Sequence, residues 1–347
     1  VSAKSLLACA ALSILAAACA HAPTPDVPAV PVVRETPPVG MVGDAADDPA
    51  IWVAANAADS RVIGTQKKGG YFVYDLAGAI VQEVALGLPN NVDLAEGFAW
   101  ADGAAPIVAA SDRADNTIPL FRFNTAAGKM ETTPRARVAT GFAEVYGVCV
   151  GTRGADTILV ATSKIGEVKA WRLAAAGAGV NAEVIASYAL GSIAEGCVID
   201  GAANAYYVGQ ELRGVWRVAL DDATGAQRVL VDEVGKGRLI ADVEGVTLWE
   251  GADGGGYIVV SVQGWSIFNV YDRAAPNAFR GAFRVGPGPG GDAVTGTDGI
   301  AVSSANLGAD FPRGLIVVQD DVNSDPDATQ NFKYASWADV AKALGLD

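Results

Sequence analysis

The chain has 347 residues, about half of them apolar, and a formal net charge of −14, so it lacks the basic footprint expected of a nucleic-acid binder. Its only histidine is His21. The rest of the chain therefore offers no Ser-His-Asp triad, no Cys-His pair and no histidine-rich zinc site, which leaves carboxylates, Lys, Arg, Tyr and oxygen-bound metal for any chemistry.

In chain order, Lys4 precedes an apolar run from Leu6 to Ala18 that has the make-up of an export signal and is short for a membrane span. Leu15-Ala-Ala-Ala-Cys19 is similar to a bacterial lipobox, so residues 1–19 read as a lipoprotein-type signal peptide, with plain cleavage near Ala20 as the alternative. The expectation is an exported protein: an outer-membrane lipoprotein, periplasmic or secreted, touching a membrane only through that anchor and otherwise monomeric. Cys149 and Cys197 then meet an oxidising compartment and either pair or remain buried thiols. Residues 20–34 are rich in proline and read as an extended tether. The folded domain is expected over 35–347, with the segment near Val32 to Glu35 joining the last repeat.

Beyond the tether the chain repeats. A polar or acidic residue, usually Gly, and then an apolar residue recur at Asp48-Pro49-Ala50, Glu96-Gly97-Phe98, Tyr146-Gly147-Val148, Glu195-Gly196-Cys197, Glu244-Gly245-Val246 and Asp298-Gly299-Ile300. A β-branched run and an aromatic-ended strand follow most of them. Six units of several short strands predict an all-β fold, a six-bladed β-propeller with a central channel. Only the tail, Trp337 to Leu346, reads as helical. If each signature opens an innermost strand, Asp48, Glu96, Tyr146, Glu195, Glu244 and Asp298 ring the channel mouth. Clustered carboxylates repel unless a proton or cation intervenes, and calcium prefers such oxygen ligands. Capped turns or solvent ions are the plainer explanation. Lys67, Lys68, Arg113 and Lys164 follow the second strand of the first three units; cations beside a metal cluster suit a ligand such as phosphate.

These strings together resemble the β-propeller phytases: Asp44-Ala-Ala-Asp-Asp-Pro-Ala-Ile-Trp52, Lys67-Lys68-Gly69, Asn90-Asn-Val-Asp93, Glu144-Val-Tyr-Gly147, Glu195-Gly196, Asp242-Val-Glu-Gly245, Gln263-Gly264, Thr297-Asp-Gly-Ile300 and Gln330-Asn-Phe-Lys333. The resemblance implies a calcium-dependent hydrolase of phytate, myo-inositol hexakisphosphate, and of related inositol phosphates, acting by direct attack of a metal-bound water. It implies that Glu35, Asp47, Asp48, Glu195, Glu244 and Asp298 hold catalytic calcium ions, with the Val92 carbonyl, and that Asp44 is a further metal-site acid. Lys67, Arg113, Tyr146, Lys164 and Glu211 match residues lining the phosphate sites, and Asp292 and Asn323 match positions for structural calcium. Ala143 stands where the family usually has Asn or Asp, and Gln210-Glu211 replaces an acidic pair; both bear on a second, neighbouring phosphate site.

Other patterns add little. Gly286-Pro-Gly-Pro-Gly-Gly291 satisfies a nucleotide-loop spacing, but its prolines remove N–H donors, so it reads as a plain loop. Asp321 to Asp327 reads equally as a calcium loop or a solvated turn. The rival functions are another calcium-dependent propeller hydrolase, lactonase-like, and a non-catalytic surface lipoprotein.

Overall fold

β-Branched and aromatic residues fill the middle strands of each repeat, and such residues pack well on a pleated surface. In the computed structural model, which describes residues 23–324 and 329–346, they form six sheets. The signal peptide expected over 1–19, with its Cys19 lipidation site, lies outside the described residues, as do Asp325 and Asp327. Among the described residues no helix is long and apolar enough to cross a membrane.

Blade one runs Ala46–Trp52, Arg61–Gln66, Gly70–Tyr74 and Ile80–Val84 in up-and-down order. The first strands of the other blades are Pro89–Trp100, Val145–Arg153, Ala194–Asp200, Val243–Glu250 and Ile300–Ser303. Each first strand touches the next, and the sixth returns to the first. The chain is thus the expected all-β, six-bladed propeller, and closure removes most open sheet edges.

The apolar core is divided. Six clusters of buried side chains occupy the six gaps between neighbouring blades. Ile63 and Tyr71 of blade one, for example, meet Val108 and Phe121 of blade two. The C-terminal helix, Trp337–Leu344, caps one gap, with Trp337 stacked on Trp249 at 5.2 Å between ring centres.

The N-terminal segment closes the ring as expected: Arg34–Glu35 pairs antiparallel with Asn331–Ser336 as the outermost strand of blade six. The tether ends earlier than its composition indicated. Ala29–Pro31 forms a strand parallel to Phe279–Gly286, a fifth strand on blade five, with Val30 and Val32 buried. An edge strand tolerates proline because one side of it needs no N–H donor. The loop at 286–291 wraps this strand, Gly290 donating to the Val32 carbonyl at 3.1 Å, and has no helix behind it. Cys149 and Cys197 form a disulfide between the first strands of blades three and four.

The first strands of blades one to five each open with a bulge, between Ala46 and Pro49, Pro89 and Val92, Val145 and Val148, Ala194 and Cys197, and Val243 and Val246. A bulge re-aims side chains and kinks the strand. Its first residue is Asp47, Asn90, Tyr146, Glu195 or Glu244. Asp298 sits in the corresponding place before Ile300, where the Gly245 amide donates to its carbonyl and the Gly299 amide to that of Asp47. Glycine follows most of these residues because the next blade's backbone comes very close: a Cβ at Gly147 would run into the Glu195 carbonyl. Gly147→Ala should therefore cost about 1–3 kcal/mol, the range for an overpacked site. An unchanged urea midpoint would contradict this close packing.

Candidate metal centre

The bulges deliver the ring. Asp47, Glu195 and Glu244 are almost wholly buried on their strands, and Asp298 is nearly so. Carboxylate oxygens of Glu195, Glu211 and Glu244 lie within 4.8 Å of one another. Lys67, buried beside them, places its ammonium 2.7 Å from Asp44 Oδ1, 2.6 Å from Asp47 Oδ2 and 3.0 Å from Asp298 Oδ2. Lys68 turns away to the Val42 carbonyl, so Lys67 is the lysine of the pair that faces the carboxylates. The Asp44 loop is pinned from below by Gln330 Oε1, which accepts from the Ala45 and Ala46 amides at 2.6 and 2.8 Å.

Electrostatics match the geometry. Burial, then the neighbouring acids, raises Glu195, Glu244 and Asp48 well above the usual carboxylate range. Burial also raises Asp47, against the pull of Lys67. Burial and then Asp47 lift Asp298 to about 7. Burial and then Asp242 lift Glu211 to about 7, against Lys164. Burial opposes the charge on Lys67, but Asp47, Asp298, Glu195 and Asp44 more than compensate and hold it protonated.

Around this centre stand the remaining residues. The Arg113 Nη2 donates to the Lys67 carbonyl at 3.1 Å, and its charge reaches Asp47. The Lys164 ammonium lies 4.8 Å from the centre of the Tyr146 ring and 3.0 Å from Glu144. Asp48 accepts from the Val92 amide at 3.2 Å, which places Val92 next to the ring on blade two. The structure thus brings together Asp44, Asp47, Asp48, Lys67, Val92, Arg113, Tyr146, Lys164, Glu195, Glu211, Glu244 and Asp298.

Glu35 keeps other company. Its Oε2 accepts from Asn331 at 3.3 Å and lies 3.6 Å from the fully buried Lys333 ammonium. Lys333 also pairs with Asp320 at 2.9 Å and with Asp292. Asp292 accepts from the Ser324 amide, and Asn323 donates to the Thr329 carbonyl. Glu35, Asp292 and Asn323 line one cleft of about 590 Å³. Glu96, expected in the ring, is exposed five residues beyond the first bulge of its strand, at a second bulge between Ala95 and Phe98. Blade two's place in the ring belongs to Asn90, which the acid-then-glycine cue passes over. The other residue missed is Gln263, whose amide donates to Asp298 and, at 3.3 Å, to the Gly296 carbonyl; its offset just after the second strand of blade five matches that of Lys67, Arg113 and Lys164.

An all-oxygen donor set of this density suits a hard cation. The fit is supported by buried oxygens, Asp47 Oδ1 and Glu244 Oε2, that find no hydrogen-bond donor among the described residues. The fold and the site define a β-propeller with an acidic, oxygen-lined centre flanked by Lys and Arg. The chain belongs to the Phytase family, whose profile matches residues 1–347. It is 35% identical to the 3-phytase of Bacillus subtilis strain 168 over 322 residues, 90% of this chain and 84% of that protein. Among solved structures, BBS1N in complex with ARL6DN overlays with a TM-score of 0.45 at 10% identity, over 83% of this chain and 78% of that one, a likeness too distant to argue from.

The raised carboxylates have a consequence for stability. The folded chain holds the Asp298 and Glu211 protons up to pH about 7, whereas a free carboxyl loses its proton near pH 4. The folded state therefore binds more protons between those values, and the associated stability, full below pH about 4, is lost as pH rises through about 7. In chelator the melting temperature should be higher at pH about 5.5 than at pH about 8, and added calcium, which favours the ionised form, should shrink or reverse the difference. Scanning fluorimetry reads both; a chelated protein more stable at the higher pH would contradict the burial of these acids.

Proposed function

We propose that this protein releases phosphate from phytate, myo-inositol hexakisphosphate, in a calcium-dependent reaction. The observation that carries the reading is one mouth where Asp47, Glu195, Glu244 and Asp298 converge beside Lys67 and Arg113, in a chain 35% identical to a 3-phytase. Asp44, Asp47, Asp48, Glu195, Glu244 and Asp298, with the Val92 carbonyl, would hold the calcium. Calcium bound there supplies positive charge that draws in a polyanion and makes water a better nucleophile.

The chain's own groups do the rest. Lys67, held protonated, offers its ammonium to a phosphoryl oxygen. Arg113, hydrogen-bonded to the Lys67 carbonyl, sets a second fixed charge beside it and steadies the negative charge that grows in the transition state. Lys164 and Tyr146 form the blade-three wall and orient a neighbouring phosphate. Glu211, raised to about 7, holds or yields a proton on the adjoining blade-four side. No nucleophilic side chain with a partner base is required, in keeping with a folded domain without histidine.

Asp292 and Asn323 serve in this reading as a structural cation site with Glu35. Export, lipid attachment at Cys19 and a monomeric state complete the proposal.

The test is phosphate release from phytate with calcium and with a chelator. Release that needs calcium, with Asp298→Ala and Glu244→Ala each lowering kcat by roughly 10²–10³-fold while the blades stay folded, is the expected result. Full activity in either variant overturns the site. Lactone hydrolysis without phosphate release favours the lactonase reading. Calcium-dependent melting with neither activity favours a binding lipoprotein.

A further inference from the structure

Asn90 occupies in blade two the bulge position that holds Asp47, Tyr146, Glu195 and Glu244 in blades one, three, four and five. It is fully buried. Its Nδ2 donates to Glu195 Oε1 at 2.6 Å and to Asn91 Oδ1 at 2.9 Å. With a cation in place of its proton the Glu195 carboxylate only accepts, so the nitrogen is the atom that faces it, and the orientation of the amide follows. The carbonyl oxygen, Asn90 Oδ1, is buried and has no donor among the described residues.

A buried amide oxygen without a partner is costly unless something else satisfies it. Asn and Gln carbonyls are ordinary ligands of calcium, and a neutral one adds an oxygen without adding to the repulsion of the ring. We propose that Asn90 is a further member of the metal centre: Oδ1 ligates the cation, and Nδ2 fixes the Glu195 carboxylate so that Oε2 is left for the same ion. This rests on the calcium reading above and assigns it a neutral ligand from blade two.

The experiment uses the full protein and the metal alone. Calcium affinity is measured by calorimetry, and terbium luminescence lifetimes in light and heavy water count the waters left on the bound ion. Asn90→Ala should weaken calcium binding by roughly 10–100-fold, the usual cost of disturbing a ligand and its support, and should add about one water to bound terbium. Asn90→Asp, which returns an oxygen at the same place, should recover most of the affinity. Parent-like affinity and water count in Asn90→Ala overturn the assignment and leave the calcium reading standing. Equal weakness in Asn90→Ala and Asn90→Asp also overturns it, since the amide then acts only as a donor to Glu195. Should Asn90→Ala fail to fold, Asn90→Asp decides alone: tight binding supports the ligand role and weak binding overturns it. A parent protein that binds no calcium removes the calcium reading itself, and this inference with it.

Discussion

Closing six blades into a ring forces five backbone bulges and the Asp298 turn together at the axis, and the mutual repulsion of the carboxylates they carry is the constraint on which the rest of the site depends. Gly147, Gly196 and Gly245 leave no room for a Cβ between one bulge and the next blade. The side chains that precede them are brought to one place whether or not their charges agree. Burial pushes the Asp47, Glu195 and Glu244 carboxyls upward, toward their protonated forms. Lys67 relieves part of the strain as a cation among three acids. One ammonium cannot balance them all, and its charge is also the one a phosphate would seek. A divalent ion entering between Asp44, Asp47 and Asp298 would compete with Lys67 for the same oxygens, so in the proposed reading metal loading and the release of Lys67 toward an anion would be linked by charge.

Much of this was legible in the sequence because a propeller repeats, and repetition exposes which positions are equivalent. Glu195-Gly196 and Glu244-Gly245 give the bulge, the ring and the close approach from one short cue. The cue fails where chemistry and register part. In blade two a twelve-residue first strand carries two bulges; the second holds the acid-glycine pair Glu96-Gly97, while the first, which reaches the axis, holds neutral Asn90. In blade one the two bulged residues are both acids, and Asp47, not Asp48, is the equivalent of Glu195. Period alone could not separate such neighbours, because bulges shift a register by one or two residues without changing composition.

The N-terminal boundary and Glu35 show a different limit. Proline-rich composition reports what a segment does alone, and Ala29–Pro31 gains its order only from a long-range partner, Phe279–Gly286. Glu35 follows from that pairing: strand Arg34–Glu35 is the outermost of blade six, and its neighbour Lys333 leads it to Asp292 and Asp320. A buried lysine among three acids here mirrors Lys67 in the ring. Whether two charged clusters share a centre is a matter of which strand is inside and which is outside, and a motif string does not carry that information.

The separation of hub from spokes explains how such a centre survives. Stability comes from the six apolar gaps between blades, with Trp337 on Trp249 and the Cys149–Cys197 link as local reinforcement. None of these needs a ring carboxylate. Buried like charges are a burden on the folded state, and a protein retains them only where another requirement holds them there. In this chain the apolar gaps carry that burden from outside the axis. Changes to the ring should therefore alter what the protein binds before they alter whether it folds, which is the physical reason that cation affinity, rather than melting alone, reports on the centre.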